Sequence, residues 1–228
     1  MHEEKTILDI IVNPHVVPHY VSFAVLASLI LIVLALIFRA SMKLIPRGTQ
    51  NLLETVGEAM LKLSEENIGH HYGKTFFPLL ATLFTYILLS NFMGLIPGFV
   101  SPTSNINMTA SMAIPVFLAT HIYGVRAHGF HYIKHFVGPV RSLYALPLMI
   151  LMFIIEVIGH LARPLTLSVR LFGNMVAKHI ILIVLAVLAP AFVPMAILGL
   201  GVLVSVVQAF VFTLLTTLYL AGAVEEAH

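Results

Sequence analysis

Residues 142–189 read SLYALPLMILMFIIEVIGHLARPLTLSVRLFGNMVAKHIILIVLAVLA, almost wholly apolar but for Glu156, Arg163, Arg170 and Lys178. As one helix this stretch would be roughly 72 Å long, against a hydrocarbon core of about 30 Å. Either it breaks near Pro164 or it is a single, steeply tilted helix. Parity favours the second: two separate spans would put the carboxyl terminus outside and leave Arg163 in an external turn. Its polar residues Glu156, His160, Arg163, Arg170, Asn174 and Lys178 follow one another at intervals of 4, 3, 7, 4 and 4. At about 100° per residue they all fall within roughly 40° of one line.

Pro190 and Pro194 mark a turn, and residues 195–224 are apolar to the end of the last helix, with Gly201, Ser205, Gln208, Thr216 and Tyr219 at similar helical spacing. Two such stripes in an apolar hairpin line a wet path or face a partner. Charged side chains near membrane interfaces also snorkel outward, and that reading stays open for Arg163 and Lys178. Arg170 is deeper. A mid-bilayer arginine costs ~2.5–3.5 kcal/mol on insertion scales, and a guanidinium does not escape by losing its proton. Glu156 is 14 residues away, roughly 21 Å along a helix. The missing counter-charge is therefore expected on another subunit.

The rest of the chain fits a membrane setting. Of 228 residues, 59% are hydrophobic and 10% charged, whereas soluble domains carry roughly 25% charged residues. A net charge of +2 with no basic run gives no footing for nucleic acid. With no cysteine, disulfides, thiolate metal sites and cysteine catalysis are excluded.

Residues 20–38, 75–100 and 106–125 are free of charged side chains, and each meets the ~20 residues a spanning helix needs. The first run is not read as a cleaved signal peptide, because Glu3, Glu4 and Asp9 precede it and no small-residue cleavage site does. Arg39, Lys43, Arg47, Lys62 and Lys74 lie between spans one and two, and Arg126, Lys134 and Arg141 between three and four, against Lys5 alone on the opposite side. By the positive-inside rule the amino terminus is outside and the carboxyl terminus inside, after five crossings.

The expected architecture is an all-α integral membrane protein. Residues 1–19 form an external segment, 20–38 the first span, 39–74 an inner segment, 75–125 a pair of spans, 126–141 a basic inner loop, 142–224 the tilted hairpin and 225–228 an inner tail. Within 48–67, Leu52, Leu53, Val56, Met60 and Leu63 share a stripe, with Glu54, Glu58 and Glu65 elsewhere. This reads as an amphipathic helix on the inner membrane surface; its acidic polar face fits equally a cytosolic helix packed on the rest of the protein. No 20–50-residue repeat or pair of broken helices suggests a secondary-transporter fold.

Arg163-Pro-Leu-Thr-Leu-Ser-Val-Arg170-Leu-Phe-Gly-Asn174-Met, followed by Gln208-Ala-Phe-Val-Phe-Thr-Leu-Leu-Thr-Thr-Leu-Tyr-Leu220, resembles subunit a of the F-type ATP synthase. Ser90-Asn91-Phe-Met-Gly94-Leu-Ile-Pro97 and Pro102-Thr103-Ser-Asn105-Ile-Asn107-Met-Thr109 resemble the same family. The similarity runs from about Phe76 to the carboxyl terminus, and the chain without a transit peptide looks like a bacterial member of the cytoplasmic (inner) membrane.

The resemblance implies a non-catalytic stator subunit, without a cofactor, whose hairpin packs against a ring of c subunits bearing membrane-buried carboxylates. The b-subunit stator and the remaining synthase subunits are the other implied partners, besides the lipid bilayer. Arg170 matches the family's essential arginine. Asn174 and Gln208 match polar residues near it, and Asn91, Thr103 and Asn105 match positions of the outer half-channel. Glu156 matches an acidic residue of the inner half-channel, to which His160 one turn on is also assigned. The family often pairs a carboxylate near the position of His179 with a titratable residue at that of Gly201. Here His179 itself is the candidate outer relay, since an imidazole titrates near neutrality, and Gly201 offers nothing. Gly94 stands where an Asp is frequent.

Two other functions compete. His121, His128, His131 and His135 can share a helix face, with His70 and His71 on the same side, as in a histidine-ligated membrane metalloenzyme; the His-Glu-x-x-His and His-x-x-His-His motifs are absent. A stand-alone ion transporter or channel is the third.

Overall fold

A computed structural model describes residues 18–42, 48–96, 98–129, 146–188 and 193–224. The expected external segment up to residue 17, most of the basic loop and the last four residues lie outside this set. Six α-helices make up the described chain: α1 His19–Ser41, α2 Thr49–Ile68, α3 His70–Met93, α4 Ile106–His128, α5 Leu146–Leu188 and α6 Val193–Val224, with one 3₁₀ turn at Pro102–Ser104 between α3 and α4. Five of them, all but α2, are long and apolar enough to cross a membrane.

The helices follow from their sequences with few surprises. The 23 residues of α1 carry no charge before Arg39 in the last turn. Helix α4 is capped by Asn105, whose side chain accepts from the Asn107 amide at 2.9 Å, so an orphan N–H of the first turn is satisfied. Proline lies inside α3 (Pro78), α4 (Pro115) and α5 (Pro164). In α5, Thr166 Oγ1 donates to Arg163 O at 3.0 Å and Ser168 Oγ to Pro164 O at 2.7 Å. Both are back-bonds of a hydroxyl onto a carbonyl of its own helix, which satisfy the hydroxyl within the apolar segment.

Helix α5 therefore does not break. Its 43 residues run through Pro164 uninterrupted, about 64 Å along the axis, and only a strongly inclined helix of that length stays near a 30 Å core. Helix α3 differs from the expected span of 75–100: it begins earlier, at His70, and ends at Met93. The apolar residues after it instead form turns, because Gly98 takes φ 86° and Gly94 closes the helix by lying against Ser101.

Helix α2 folds back on α3 through Gly69, whose φ of 89° belongs to the left-handed region. A Cβ on Gly73 would lie 2.9 Å from Glu65 Cα, so the two helices meet there backbone to backbone, and buried Ser64 donates to Gly73 O at 2.8 Å. Met60 joins the core, and Val56 and Leu63 pack against it, whereas Leu52 and Leu53 are exposed. The amphipathic stripe thus divides between packing on the bundle and an open apolar end.

The core gathers Phe84 and Ile87 of α3, Met112, Ala113 and Val116 of α4, Leu167 and Leu171 of α5, and Ala209 and Phe212 of α6. Phe23 and Ala27 of α1 pack on Met93. Helix α5 is the least covered of the spans: 6% of an apolar 18-residue stretch of it is buried, against 17% for α1 and 33–39% for α3, α4 and α6. One long, apolar, largely bare helix carrying four charges is what positions the site.

Candidate functional site

Helix α5 divides its polar stripe between two surroundings. About the common line, a 100° step per residue sets His160 and Lys178 roughly 40° to one side and Arg170 roughly 40° to the other. The side chains follow that split. Lys178 is buried at 7% exposure and the His160 side chain at 13%, while Arg170 is exposed. Neither Lys178 nor Arg163 snorkels: Lys178 turns inward, and the Arg163 guanidinium lies over the Tyr219 ring of α6 at 5.4 Å. Around Arg170 the bare surface is largely apolar, with Leu165 and Val169 of α5 and Val206, Val207 and Phe210 of α6 exposed, and Thr166 and Asn174, one turn to either side on α5, are its exposed polar neighbours. No carboxylate among the described residues comes within ion-pair distance of Arg170.

Toward the end of the bundle that carries the 94–105 loop lies a cluster of uncharged polar groups. Asn91, Ser101 and Thr103 are fully buried. Thr103 Oγ1 donates to Asn91 Oδ1 at 2.7 Å, and Ser101 Oγ lies 2.7 Å from Thr103 Oγ1 and 2.8 Å from Ser90 O. Asn91 Nδ2 reaches Ser205 O of α6, and Lys178 Nζ reaches Asn91 O, each over a long 3.5 Å. The loop, α3, α5 and α6 thus converge on Asn91. One turn closer to Arg170, Asn174 Nδ2 donates to Gln208 Oε1 at 2.6 Å.

Toward the other end, His160 Nε2 lies 3.3 Å from Glu156 Oε1, and its ring meets His121 of α4 edge-on, centroids 5.2 Å apart. A small cavity next to this group is lined by Val116, Thr120, Arg163, Pro164, Leu167 and Tyr219. Arg170 is eight residues from Lys178 and ten from His160 on α5, about 12 and 15 Å along the axis. It sits between the two clusters and belongs to neither.

Of the residues singled out from the sequence, Asn91 and Thr103 come together, as do Asn174 with Gln208 and Glu156 with His160. Asn105 stands apart from the Asn91 cluster in role, its side-chain oxygen being used as the α4 cap. His179 is partly buried beside Lys178. Gly201 faces Lys178 and Leu95, which fill the space a side chain would need. Ser205 and Thr216 turn inward as the stripe on α6 implies, but their hydroxyls donate to Gly201 O and Phe212 O of their own helix, so they line no path by hydrogen bonding across the hairpin.

Sequence reading missed three participants. Lys178 as a buried member of the Asn91 cluster was hidden because spacing alone does not say which flank of the stripe faces inward. Ser101 carried no signal beyond its neighbour Thr103. The sequence groups His121 with His128, His131 and His135 as a candidate metal face; its ring instead meets His160, and His131 and His135 lie outside the described residues. Among the described residues no group of three or more His, Asp or Glu is arranged to hold a metal.

Comparison with known proteins identifies the family. The family model described as ATP synthase A chain matches residues 20–221. ATP synthase subunit a of Trichlorobacter lovleyi is 52% identical over 199 residues, covering 87% of this chain and 84% of the relative. The subunit a of Geobacter sulfurreducens is 48% identical over 208 residues, 91% of this chain and 88% of the relative. A match over nearly the whole chain, at this identity, with the polar clusters and Arg170 inside it, shows that the chain belongs to the ATP synthase subunit a family, among its bacterial members.

Proposed function

We propose that this protein is the ion-translocating stator subunit of the membrane sector of a rotary ATP synthase in the bacterial cytoplasmic membrane. Its amino terminus is outside and its carboxyl terminus inside. The face of α5 and α6 around Arg170 meets a ring of c subunits, and the b subunit and the remaining synthase subunits complete the assembly. The subunit itself makes no ATP; that chemistry belongs to other subunits.

The observation that carries this reading is Arg170: a permanent cation on a bare, largely apolar face, with no carboxylate partner among the described residues, between two separate polar clusters. A carboxylate of a moving ring that passes within about 4 Å of it gains ~4 kcal/mol at an effective dielectric of 20, which favours release of a bound proton or sodium ion. Away from the arginine the same carboxyl meets lipid and must be neutral. Asn91 and Thr103, with Asn105, His179, Asn174 and Gln208, mark the outer half-channel. Glu156 and His160 mark the inner one. Because the half-channels are offset, an ion that enters by one rides the ring to reach the other, and Arg170 repels cations that would cross directly. A membrane potential supplies about 2.3 kcal/mol per charge per 100 mV to that motion, so ion flow and rotation are coupled.

The test is ATP-driven ion uptake by inverted membrane vesicles holding the intact complex, with and without Na⁺ to identify the ion. Arg170→Ala is expected to abolish uptake while the subunits still copurify and ATP hydrolysis persists. Normal pumping by that assembled mutant removes the assignment.

A further inference from the structure

Helix α3 ends among buried residues, with Ser90, Asn91 and Met93 all covered. The last carbonyls of a helix have no partner within it, and here they are met in three ways. Phe92 O and Met93 O accept from the amides of Leu95 and Ile96 at 2.9 and 3.1 Å. Ser90 O accepts from Ser101 Oγ at 2.8 Å. Asn91 O is met from another helix, by Lys178 Nζ of α5 at 3.5 Å. The amine of a buried lysine thus caps the C-terminus of a helix three elements earlier in the chain.

That nitrogen stands where a cation belongs. A helix C-terminus carries partial negative charge, which stabilises a cation beside it. Backbone carbonyls at such helix ends are also the groups with which membrane transporters hold Na⁺. Neutral oxygens surround the spot: Asn91 Oδ1 and Thr103 Oγ1 bonded to each other, Ser101 Oγ beside them, and Ser205 O of α6 facing the Asn91 amide. No carboxylate among the described residues lies within ion-pair distance of Lys178. The stem of the lysine is accommodated by Gly201, where a Cβ would lie 3.5 Å from Lys178 Cδ. The place is oxygen-lined, suited to a cation and already taken.

We infer that Lys178 is a selectivity residue of the outer half-channel: its ammonium holds the place at the C-terminus of α3 that an alkali metal cation would need, so the path passes protons and bars Na⁺. This rests on the assignment of the Asn91 cluster to the outer half-channel. A tethered ammonium cannot diffuse away, and a second unit charge within about 4 Å of it is repelled, the more strongly the lower the local dielectric. The lysine also uses Asn91 O, which a dehydrating metal ion would need. A proton moves by exchange along hydrogen bonds and requires no oxygen cage of its own. Lys178 carries no proton in this scheme; it only fills the place of a competing ion.

The test uses the complete synthase, purified and reconstituted in liposomes with its catalytic sector outside, so that the outer half-channel opens to the lumen. ATP-driven proton uptake is followed with Na⁺ or choline as the luminal cation. The unmodified complex is expected to pump equally with both. Lys178→Met ends one atom short of the amine and keeps the packing of the stem, whereas Lys178→Ala empties the space. In both variants luminal Na⁺ should enter the vacated place and slow uptake relative to choline. The slowing should be roughly tenfold once Na⁺ is about ten times the concentration that half-fills the site. A lysine that merely holds the hairpin together would lower assembly or thermal retention and leave the rates in Na⁺ and choline equal. Equal rates in Lys178→Met overturn the selectivity role, and so does any stimulation or inhibition of the unmodified complex by luminal Na⁺. If Arg170→Ala is inactive while Lys178→Met is indifferent to Na⁺, the role of the lysine alone fails. If Arg170→Ala pumps, the reading of the whole site fails.

Discussion

Asn174 Nδ2 and Gln208 Oε1 are 2.6 Å apart, joining α5 to α6 by a side-chain bond one turn from Arg170. Hydrogen bonds between helices in an apolar surrounding contribute about 0.6 kcal/mol on average and up to ~1.7 kcal/mol, so this one helps fix the register of the hairpin more than its stability. It also leaves the buried Gln208 Nε2 as a donor without a partner among the described residues.

Replacing Gln208 by Leu keeps a side chain of similar size and removes both its acceptor and its donor. The complex is expected to assemble, with a loss of about 1 kcal/mol in hairpin packing. Ion flux through the membrane sector should fall, though less than in Arg170→Ala. Passive proton flux in vesicles stripped of the catalytic sector measures it. Flux equal to wild type in Gln208→Leu and also in Asn174→Leu sinks the assignment of this pair.

Gly94 is the second prediction. An ideal Cβ there lies 2.6 Å from Ser101 Cβ, an atom that cannot swing aside as the end of a long side chain does. The turn after α3 must shift to admit any side chain, and Ser101 anchors it by its bond to Ser90 O. Gly94→Ala is expected to destabilise the subunit by ~1–3 kcal/mol, the usual range for overpacking, and Gly94→Asp by more, since it buries a carboxylate as well. Thermal retention of the assembled complex in detergent checks this. Ser101→Gly in the same chain should recover part of the loss of Gly94→Ala; no loss in Gly94→Ala means the turn is not so tightly closed.

The sequence already contains Arg170 as a problem, because a charge in an apolar run is visible without coordinates. That α5 is one unbroken helix is legible too, from its length and the parity of the basic loops. The limits are physical. A stripe within 40° of a line tells that polar groups share a face but not how the neighbouring helices divide it, so the burial of Lys178 and the exposure of Arg170 emerge only from packing. Asn91 and Thr103 are twelve residues apart across a loop, and nothing in local periodicity pairs them. Hydropathy marks where lipid is met, not where a helix starts. Hence hydropathy starts α3 at residue 75, although Lys74 and the two histidines continue it back to His70.

Gly201 carries the third prediction. A Cβ there would lie 2.8 Å from Leu95 Cδ2 and 3.5 Å from Lys178 Cδ. Leu95 Cδ2 is the tip of a flexible side chain, so Gly201→Ala should be tolerated after a small rotation. A histidine at this position has no such room beside buried Lys178. Gly201→His is expected to cost ~1–3 kcal/mol and to reduce assembled complex, with Leu95→Ala in the same chain restoring it. Wild-type yield and thermal retention for Gly201→His alone would show that the lysine does not occupy this space.

Thr103 supplies the last prediction, because one hydroxyl joins two elements. Thr103 Oγ1 donates to Asn91 Oδ1 and lies 2.7 Å from Ser101 Oγ, with all three residues fully buried. Thr103→Val keeps the shape of the side chain and deletes the hydroxyl. Asn91 Oδ1 then loses a hydrogen bond in a place water does not reach freely, which costs about 1–3 kcal/mol. Thr103→Ser retains the oxygen and loses only a methyl group, so it separates hydrogen bonding from packing. If the Asn91 cluster lies on the outer path, Thr103→Val slows passive proton flux while Thr103→Ser does not, and the slowing should be strongest when protons are supplied from the outer face. Equal flux in the two variants, with reduced stability in Thr103→Val alone, would mean the network holds the 94–105 loop in place and carries no ion.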